Sequence, residues 1–279
     1  MSILGMHRRR YNPRIEIGGE IEGNQLDGRA WSYRGYQDSI VWHLQKIEES
    51  AVGRIIIGAL QRQTLIVPRV IADGNARARP VSSTALGFRS DDAPISTGLD
   101  ERDGTMENVA INENAVNEFR HTILGVLARG TGDGADVVIE FTPGFYFRGN
   151  ALAQQTAMFG RATEILLHEL VHAMMYSRGL NDPRMLAGDA GTTYENRAEF
   201  NAIMVTNMYR SELSRTAALR ASHELDTFDR MTDPSNFYTR HQVHVAEFCR
   251  KVPQVARDLA ANAAAWFNPC RQHLAVPAP

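Results

Sequence analysis

Residues 161–179 read RATEILLHELVHAMMYSRG, and this stretch determines how the whole chain is interpreted. Apolar residues recur through it without a breaker until Gly179, which predicts one α-helix ended by a left-handed glycine cap. His168 and His172 stand four positions apart, slightly more than one helical turn, so both imidazoles project from the same face. Glu169 lies one step round the helix, beside that face.

The HExxH pattern at 168–172 is typical of a metal site. Two imidazoles at this spacing can bind one divalent ion. With 9 histidines and 32 acidic residues in the chain, about 0.03 such matches are expected by chance. The alternative is a core helix whose two histidines are hydrogen-bonded internally, and it needs several polar partners for His168, Glu169 and His172. We expect one Zn²⁺, bound by His168 and His172.

A third ligand is expected downstream, because a catalytic zinc usually has three protein ligands and one open position for water. Residues 194–212 read YENRAEFNAIMVTNMYRSE, within a helix expected to start near residue 192 or 193. Its expected core side comprises Phe200, Ile203, Met204 and Met208. Glu195 and Glu199 share one face, and Phe200 favours Glu199 as the ligand because that turn should pack inward. Glu195 is the alternative ligand, or a carboxylate that orients a ligating histidine; both acids could also lie on a solvated face.

Short strands and helices elsewhere predict an α+β fold with a small mixed sheet. Strands are expected at Ile15–Ile17, ended by a turn at Gly18 and Gly19, at Thr64–Val67, and at Val137–Phe141. A helix is expected from Asp38 or Ser39 to a stop at Gly53, and another over 114–127.

The length of 279 residues allows one large domain or two small ones. We expect one domain over 1–279, with an N-terminal strand and helix part at 1–71 and a catalytic core at 106–279. Residues 72–105 are rich in Gly, Pro, Ser, Asp and Arg and predict a long flexible excursion between these parts.

Composition excludes several function classes. The formal net charge of −2 is too even to predict nucleic-acid binding. No apolar run is long enough for a membrane span, and the N-terminal residues lack the order of a Sec signal. Cys249 and Cys270 lack CxxC spacing, so we expect two ordinary buried thiols, although pairing between them stays open.

Mechanistically, zinc lowers the pKa of its bound water to about 7, and Glu169 would act as the catalytic base while that water attacks a carbonyl. His223 and Tyr238 are candidate donors to the resulting oxyanion. His241 and His244 lie three apart, and we interpret them as structural or surface histidines because no third ligand accompanies them.

The strings LLHELVHAMMYSRG (166–179), ENRAEFNAIMVTNMYRSE (195–212) and ALRASHE (218–224) together resemble secreted bacterial effector metallopeptidases. These are the NleD-type family and the metallopeptidase domains attached to VgrG spike proteins of type VI secretion. GTGDGADVVIEFTP (130–143) and AAWFNPCR (264–271) add to the resemblance, which covers about 105–271 well and 15–67 loosely.

The resemblance implies a zincin-like fold with zinc bound by His168, His172 and Glu199. In some relatives two adjacent acids occupy the third-ligand site, whereas here Ala198 precedes Glu199. It also implies an effector toxin that acts on a protein or peptide substrate, with a secretion-apparatus carrier and a cognate immunity protein as partners. Such a protein is secreted without a Sec signal and delivered into a target cell, either its periplasm or a host cytosol.

Two other functions compete with a peptidase. One is a non-catalytic interaction effector that contains zinc, although a closed structural site normally has four protein ligands and no use for Glu169. The other is a zinc amidase acting on a cell-wall or small-molecule amide, because the same chemistry cleaves any suitably placed amide.

Overall fold

The structure is a computed structural model that describes residues 7–19, 33–68, 76–81, 95–96, 110–111, 132–143, 162–182, 184, 186, 194, 196–221 and 233–275. Within these residues it is a mixed α+β structure with seven α-helices, one five-stranded mixed sheet and one two-stranded sheet. The helix expected over 114–127 lies outside the described residues.

The strands are β1 (His7–Arg10), β2 (Ile15–Gly19), β3 (Thr64–Val67), β4 (Arg77–Val81), β5 (Ile95–Ser96), β6 (Ala110–Ile111) and β7 (Asp136–Glu140). The helices are α1 (Tyr33–Glu48), α2 (Ala51–Gly58), α3 (Ala162–Ser177), α4 (Arg197–Leu213), α5 (Phe237–Lys251), α6 (Pro253–Ala261) and α7 (Pro269–Ala275). None of the described helices is long and apolar enough to cross a membrane.

The chain divides into two compact units. The first comprises Met1–Val41, Leu60–Thr142 and His172–Asp182, and the second comprises Trp42–Ala59, Pro143–Val171 and Pro183–Pro279. The single domain over 1–279 stays a prediction.

The first unit contains the five-stranded sheet, in the order β1-β2-β3-β7-β4. Strands β2, β3 and β7 pair in parallel, while β1 and β4 are antiparallel edge strands. The three parallel strands are apolar and almost fully buried, as parallel strands usually are. All three were expected from the sequence, but Gly18 and Gly19 lie within β2 rather than in a turn, because they pair with Arg8 and His7.

Strand β4 lies within residues 72–105, where a flexible excursion was expected, and most of that stretch lies outside the described residues. Its sequence RARPV pairs antiparallel with β7, and the Arg77 side chain donates to Glu140 at 2.8 Å. Pro80 has no N–H to give to a ladder, and an edge strand tolerates this. The two residues of β5 also form a strand inside this stretch.

Helix α1 starts at Tyr33, five or six residues before the expected Asp38 or Ser39. Tertiary contacts hold this extra turn. The Tyr36 hydroxyl donates to the carbonyl of Phe141 at 2.8 Å, and the Gln37 amide donates to the carbonyl of Ile17 at 3.1 Å.

Gly53 does not stop a helix, contrary to expectation, but lies inside α2. A Cβ at Gly53 would lie 2.0 Å from the carbonyl oxygen of Ile47, so glycine is needed for this close approach. Ser50 is the N-cap of helix α2, and its hydroxyl accepts a hydrogen bond from the Gly53 N–H at 2.8 Å. The carboxylate of Glu212 on α4 accepts from the next two backbone N–H groups, those of Ala51 and Val52.

Helix α3 ends as predicted at Gly179, which has φ +65°. The Gly179 N–H donates to the Tyr176 carbonyl, and the Leu180 N–H donates to the Met175 carbonyl. This is a Schellman cap. Gly132 lies against the cap, since a Cβ on Gly179 would be 2.3 Å from its carbonyl carbon.

Candidate metal centre

Helix α3 carries the HExxH residues in its middle. His168 is 6 % exposed, Glu169 6 % and His172 7 %. Three polar side chains buried close to one another are costly unless each is hydrogen-bonded or binds an ion. Their burial therefore indicates a specific role rather than a solvated helix face.

Helix α4 supplies Glu199 through its N-cap. The Asn196 side chain accepts a hydrogen bond from the Glu199 N–H at 3.0 Å, which fixes the start of the helix at Asn196. The expected start near residue 192 or 193 is therefore too early by about one turn. Phe200, Ile203, Met204 and Met208 are buried as predicted. The cap places Glu199 in the first helical turn, with its side chain only 17 % exposed.

His168 and Glu199 meet directly. The Nε2 atom of His168 lies 3.0 Å from Oε2 of Glu199. His172 completes the group, because one donor atom from each of the three residues lies within 4.8 Å of the other two.

The donor set fits a zinc ion. Ligand atoms about 2.0–2.1 Å from a tetrahedral ion lie about 3.3 Å from one another. The 3.0 Å between His168 and Glu199 is close to this separation, and a donor atom of His172 lies within 4.8 Å of both. Two imidazoles and one carboxylate are also the ligand types of catalytic zinc with an open fourth position.

The contact between His168 and Glu199 indicates which nitrogen of His168 would bind a metal ion. Its Nε2 faces the carboxylate, so a metal ion there would meet Nε2 without its proton. The neutral ring then carries its proton on Nδ1. The Glu199 carboxylate beside Nε2 of His168 favours the binding of a cation by these two side chains.

A buried ion pair lies one turn away along α3. Arg210 on α4 donates to Glu164 at 3.0 Å, and their side chains are 8 % and 11 % exposed. Glu164 is four residues before His168. This pair therefore links α3 and α4 on the helices that carry the candidate ligands.

Arg220 adds positive charge near Glu199. Burial and the charge of Arg210 lower the pKa of Arg220, while Glu164 and Glu199 act in the opposite direction. Asn207 on α4 holds the Arg220 backbone, because its amide donates to the Arg220 carbonyl and its oxygen accepts from the Arg220 N–H, both at 2.8 Å.

No family model, no curated protein and no solved structure matches this chain. His168, His172 and Glu199 are therefore candidate ligands on the basis of their own geometry and chemistry. The resemblance to effector metallopeptidases stays a prediction from the sequence.

The other predicted site residues lie elsewhere or outside the described part of the chain. Glu195 and His223 belong to the residues that are not described. Tyr238 is on α5, and its hydroxyl lies 3.2 Å from Nδ1 of His273, which is a structural partner. Its role as an oxyanion donor stays a prediction.

His241 and His244 lie together on α5, with ring centroids 6.5 Å apart. Both pack against Phe200, and His241 also contacts Tyr194 and Phe237. Burial, followed by the charges of His244 and Arg240, lowers the pKa of His241 to about 4. These neutral rings act as part of an aromatic cluster, in agreement with their structural interpretation.

The sequence interpretation overlooked three contributors to the site. Asn196 could have been found, because Asn followed three positions later by Glu is a helix-start signature. Glu164 and Arg210 are far apart in the sequence, and no local pattern reveals that they pair.

Proposed function

We propose that the protein is a zinc-dependent metallopeptidase. The observation that carries this proposal is the group of His168, His172 and Glu199, whose donor atoms lie within 4.8 Å of one another. Glu169, next to the first ligand on α3, gives the group a carboxylate that a purely structural zinc site does not need.

In this proposal, His168, His172 and Glu199 would hold one Zn²⁺. The ion supplies Lewis-acid activation of water and of the scissile carbonyl. Glu169 accepts the proton of the attacking water on a carboxylate oxygen and passes it to the leaving amine nitrogen. Glu169 is buried, at 6 % exposure, directly beside His168 in the chain.

The wider assignment rests on the resemblance seen in the sequence. An HExxH helix and a small mixed sheet are consistent with a zincin-like fold. We therefore propose an effector toxin, delivered by a secretion apparatus and neutralised in the producing cell by an immunity protein. The target compartment is either the periplasm of a rival bacterium or the cytosol of a host.

Peptide-bond cleavage tests the proposal. The zinc-loaded full chain is incubated with a proteome-derived peptide mixture, and new termini are identified by mass spectrometry. We expect wild type to cleave, and Glu169→Gln to retain zinc while cleaving at least about 100-fold more slowly, since a general base contributes about 10²–10⁴. Glu49→Gln serves as the control. It replaces an exposed acid that pairs with Lys46, and we expect it to keep full activity.

The same samples distinguish the competing functions. Zinc binding without cleavage of any peptide, unchanged by Glu169→Gln, would indicate a non-catalytic interaction effector. Release of amines from cell-wall fragments, but not from peptides of proteins, would indicate an amidase. Toxicity of wild type and Glu169→Gln, expressed separately in cytoplasm and periplasm, locates the target.

A further inference from the structure

Glu247 on α5 pairs with three cations in the second unit. Its carboxylate contacts the guanidinium of Arg197, the first residue of α4, and it also pairs with Arg184 and Lys251, each at 3.4 Å. The Glu247 side chain is only 17 % exposed. Cations stabilise a carboxylate that is partly withdrawn from water, so these contacts keep Glu247 charged and in place.

The first turn of α4 contacts α5 at two positions. Arg197 pairs with Glu247, and the ring of Phe200 packs against His244 with centroids 5.4 Å apart. Residues three apart lie on the same face of a helix, so positions 197 and 200 present one face of α4 to α5. On α5, His244 and Glu247 are likewise three apart. The two helices therefore meet along one face of each at this turn.

Glu199 lies between these two positions in the chain but projects toward α3. Its Oε2 atom is 3.0 Å from Nε2 of His168. Consecutive residues of an α-helix are about 100° apart around its axis, so Glu199 projects from a different side of α4 than Phe200. Helix α5 therefore supports the backbone of the turn whose carboxylate faces the candidate metal centre.

Backbone contacts add to this support. The Arg197 N–H donates to the Arg184 carbonyl at 3.1 Å, and the Asn196 side chain accepts from the Glu199 N–H at 3.0 Å. The side chains of Arg184 and Arg197 both pair with Glu247. One carboxylate on α5 thus joins the two chain segments that meet where α4 begins.

We propose that Glu247 is a positioning residue for Glu199. It acts through its ion pair with Arg197, which holds the first turn of α4, rather than by contact with the metal ion. The inference rests on the proposed function, because it takes Glu199 as a zinc ligand. Groups that orient metal ligands contribute about 10–100-fold to metal affinity, and we expect about 10-fold for Glu247 because it acts through one helical turn.

Zinc affinity tests the proposal. A chelator competition titration of the full chain should show about 10-fold weaker binding in Glu247→Gln. Lys251→Gln is the matched control, because it removes a partner of Glu247 within α5 and leaves the contact with α4, so it should keep wild-type affinity. Zinc bound by Glu247→Gln as tightly as by wild type, or an equal loss in Lys251→Gln, would overturn the proposal.

Variants of Arg197 test whether Glu247 acts through this partner. Arg197→Gln should weaken zinc binding as much as Glu247→Gln, and Arg197→Lys, which keeps the cation, should retain more of the affinity. The double variant Arg197→Gln, Glu247→Gln should lose no more than either single variant, because all three lack the same contact. Additive losses would contradict the proposal. If Glu247→Gln does not fold, Arg197→Gln replaces it, since the Arg197 side chain is 28 % exposed.

Hydrogen exchange of the metal-free chain gives a readout that does not depend on zinc. In Glu247→Gln, backbone N–H groups in the first turn of α4 should exchange faster than in wild type, while those over 204–213 should be unchanged. Unchanged exchange in the first turn would overturn the positioning role. Failure of wild type to bind zinc would instead overturn the metal centre and the proposed function, and with them a role for Glu247 in that site.

Discussion

Nε2 of His168 lies 3.0 Å from Oε2 of Glu199, although 31 residues separate them in the sequence. Helix α3 fixes the first residue and the Asn196 cap fixes the second. Because His172 is one turn from His168, this single contact brings three candidate metal ligands together.

Removal of the carboxylate at Glu199 should weaken zinc binding. We expect Glu199→Gln to lower the affinity by at least about 100-fold, since even residues that only orient metal ligands contribute about 10–100-fold. A chelator competition titration measures the change. Glu212→Gln, on the same helix and about 20 Å further along it, should keep wild-type affinity. If Glu195→Gln lowers the affinity and Glu199→Gln does not, the ligand assignment passes to Glu195.

The buried pair of Glu164 and Arg210 should be important for stability. Glu164→Gln leaves the Arg210 guanidinium buried without its carboxylate, and such a change costs about 3–5 kcal/mol. Urea unfolding followed by circular dichroism measures the loss. The exposed pair of Lys46 and Glu49 is the control, and Glu49→Gln should cost less than about 1 kcal/mol. Equal effects of the two substitutions would contradict the buried role.

Two glycines of helix α2 should respond in opposite ways to alanine. Gly53→Ala puts a Cβ 2.0 Å from the Ile47 carbonyl oxygen, so the helix must move, and we expect a loss of about 1–3 kcal/mol. Gly58→Ala meets nothing within 4 Å and should be neutral or stabilise by up to about 1 kcal/mol. Thermal unfolding of both variants compares them, and an equal Tm would refute the close approach at Gly53.

Protonation of His43 should destabilise the fold at acid pH. His43 is buried beside Thr163, and burial lowers the pKa of His43 from 6.5 to about 4. The unfolded chain therefore binds more protons than the folded protein between these values. Stability is complete above about pH 6.5 and falls as the pH drops toward 4, by about 3 kcal/mol for this histidine.

Urea unfolding at pH 7 and pH 4.5 measures the effect of His43. His43→Gln should lose much less stability than wild type between the two pH values, whatever its stability at pH 7. His241, whose pKa is lowered in the same direction, keeps part of the pH dependence in both proteins. An identical pH dependence in both would contradict the assignment to His43.

The central strands and the HExxH helix could be predicted from the sequence because their signals are local. Strand β3 is a β-branched run closed by Pro68, and α3 is an apolar helix with a glycine at the cap position. Phe200 likewise indicated that Glu199 faces inward, and the structure buries Phe200 to 1 % exposure.

What the sequence did not predict depends on tertiary partners. Strand β4 has the sequence RARPV, without apolar alternation, and it forms because β7 offers an edge. Glycine often ends a helix, and this predicted a helix stop at Gly53. Gly53 instead lies inside α2, where the close approach of the Ile47 carbonyl oxygen from the preceding helix requires a glycine. The pairing of Glu164 with Arg210 requires α3 and α4 to be placed first, so no local pattern reveals it.

The central claim is that His168, His172 and Glu199 bind one zinc ion. X-ray absorption at the zinc edge of the full chain, loaded with one equivalent, tests it most directly. We predict two imidazole nitrogens and oxygen ligands about 2.0–2.2 Å from the ion, with the imidazole signal lost in a His168→Ala, His172→Ala variant. A sulfur shell from Cys249 and Cys270, or an oxygen shell without imidazole, would contradict the account.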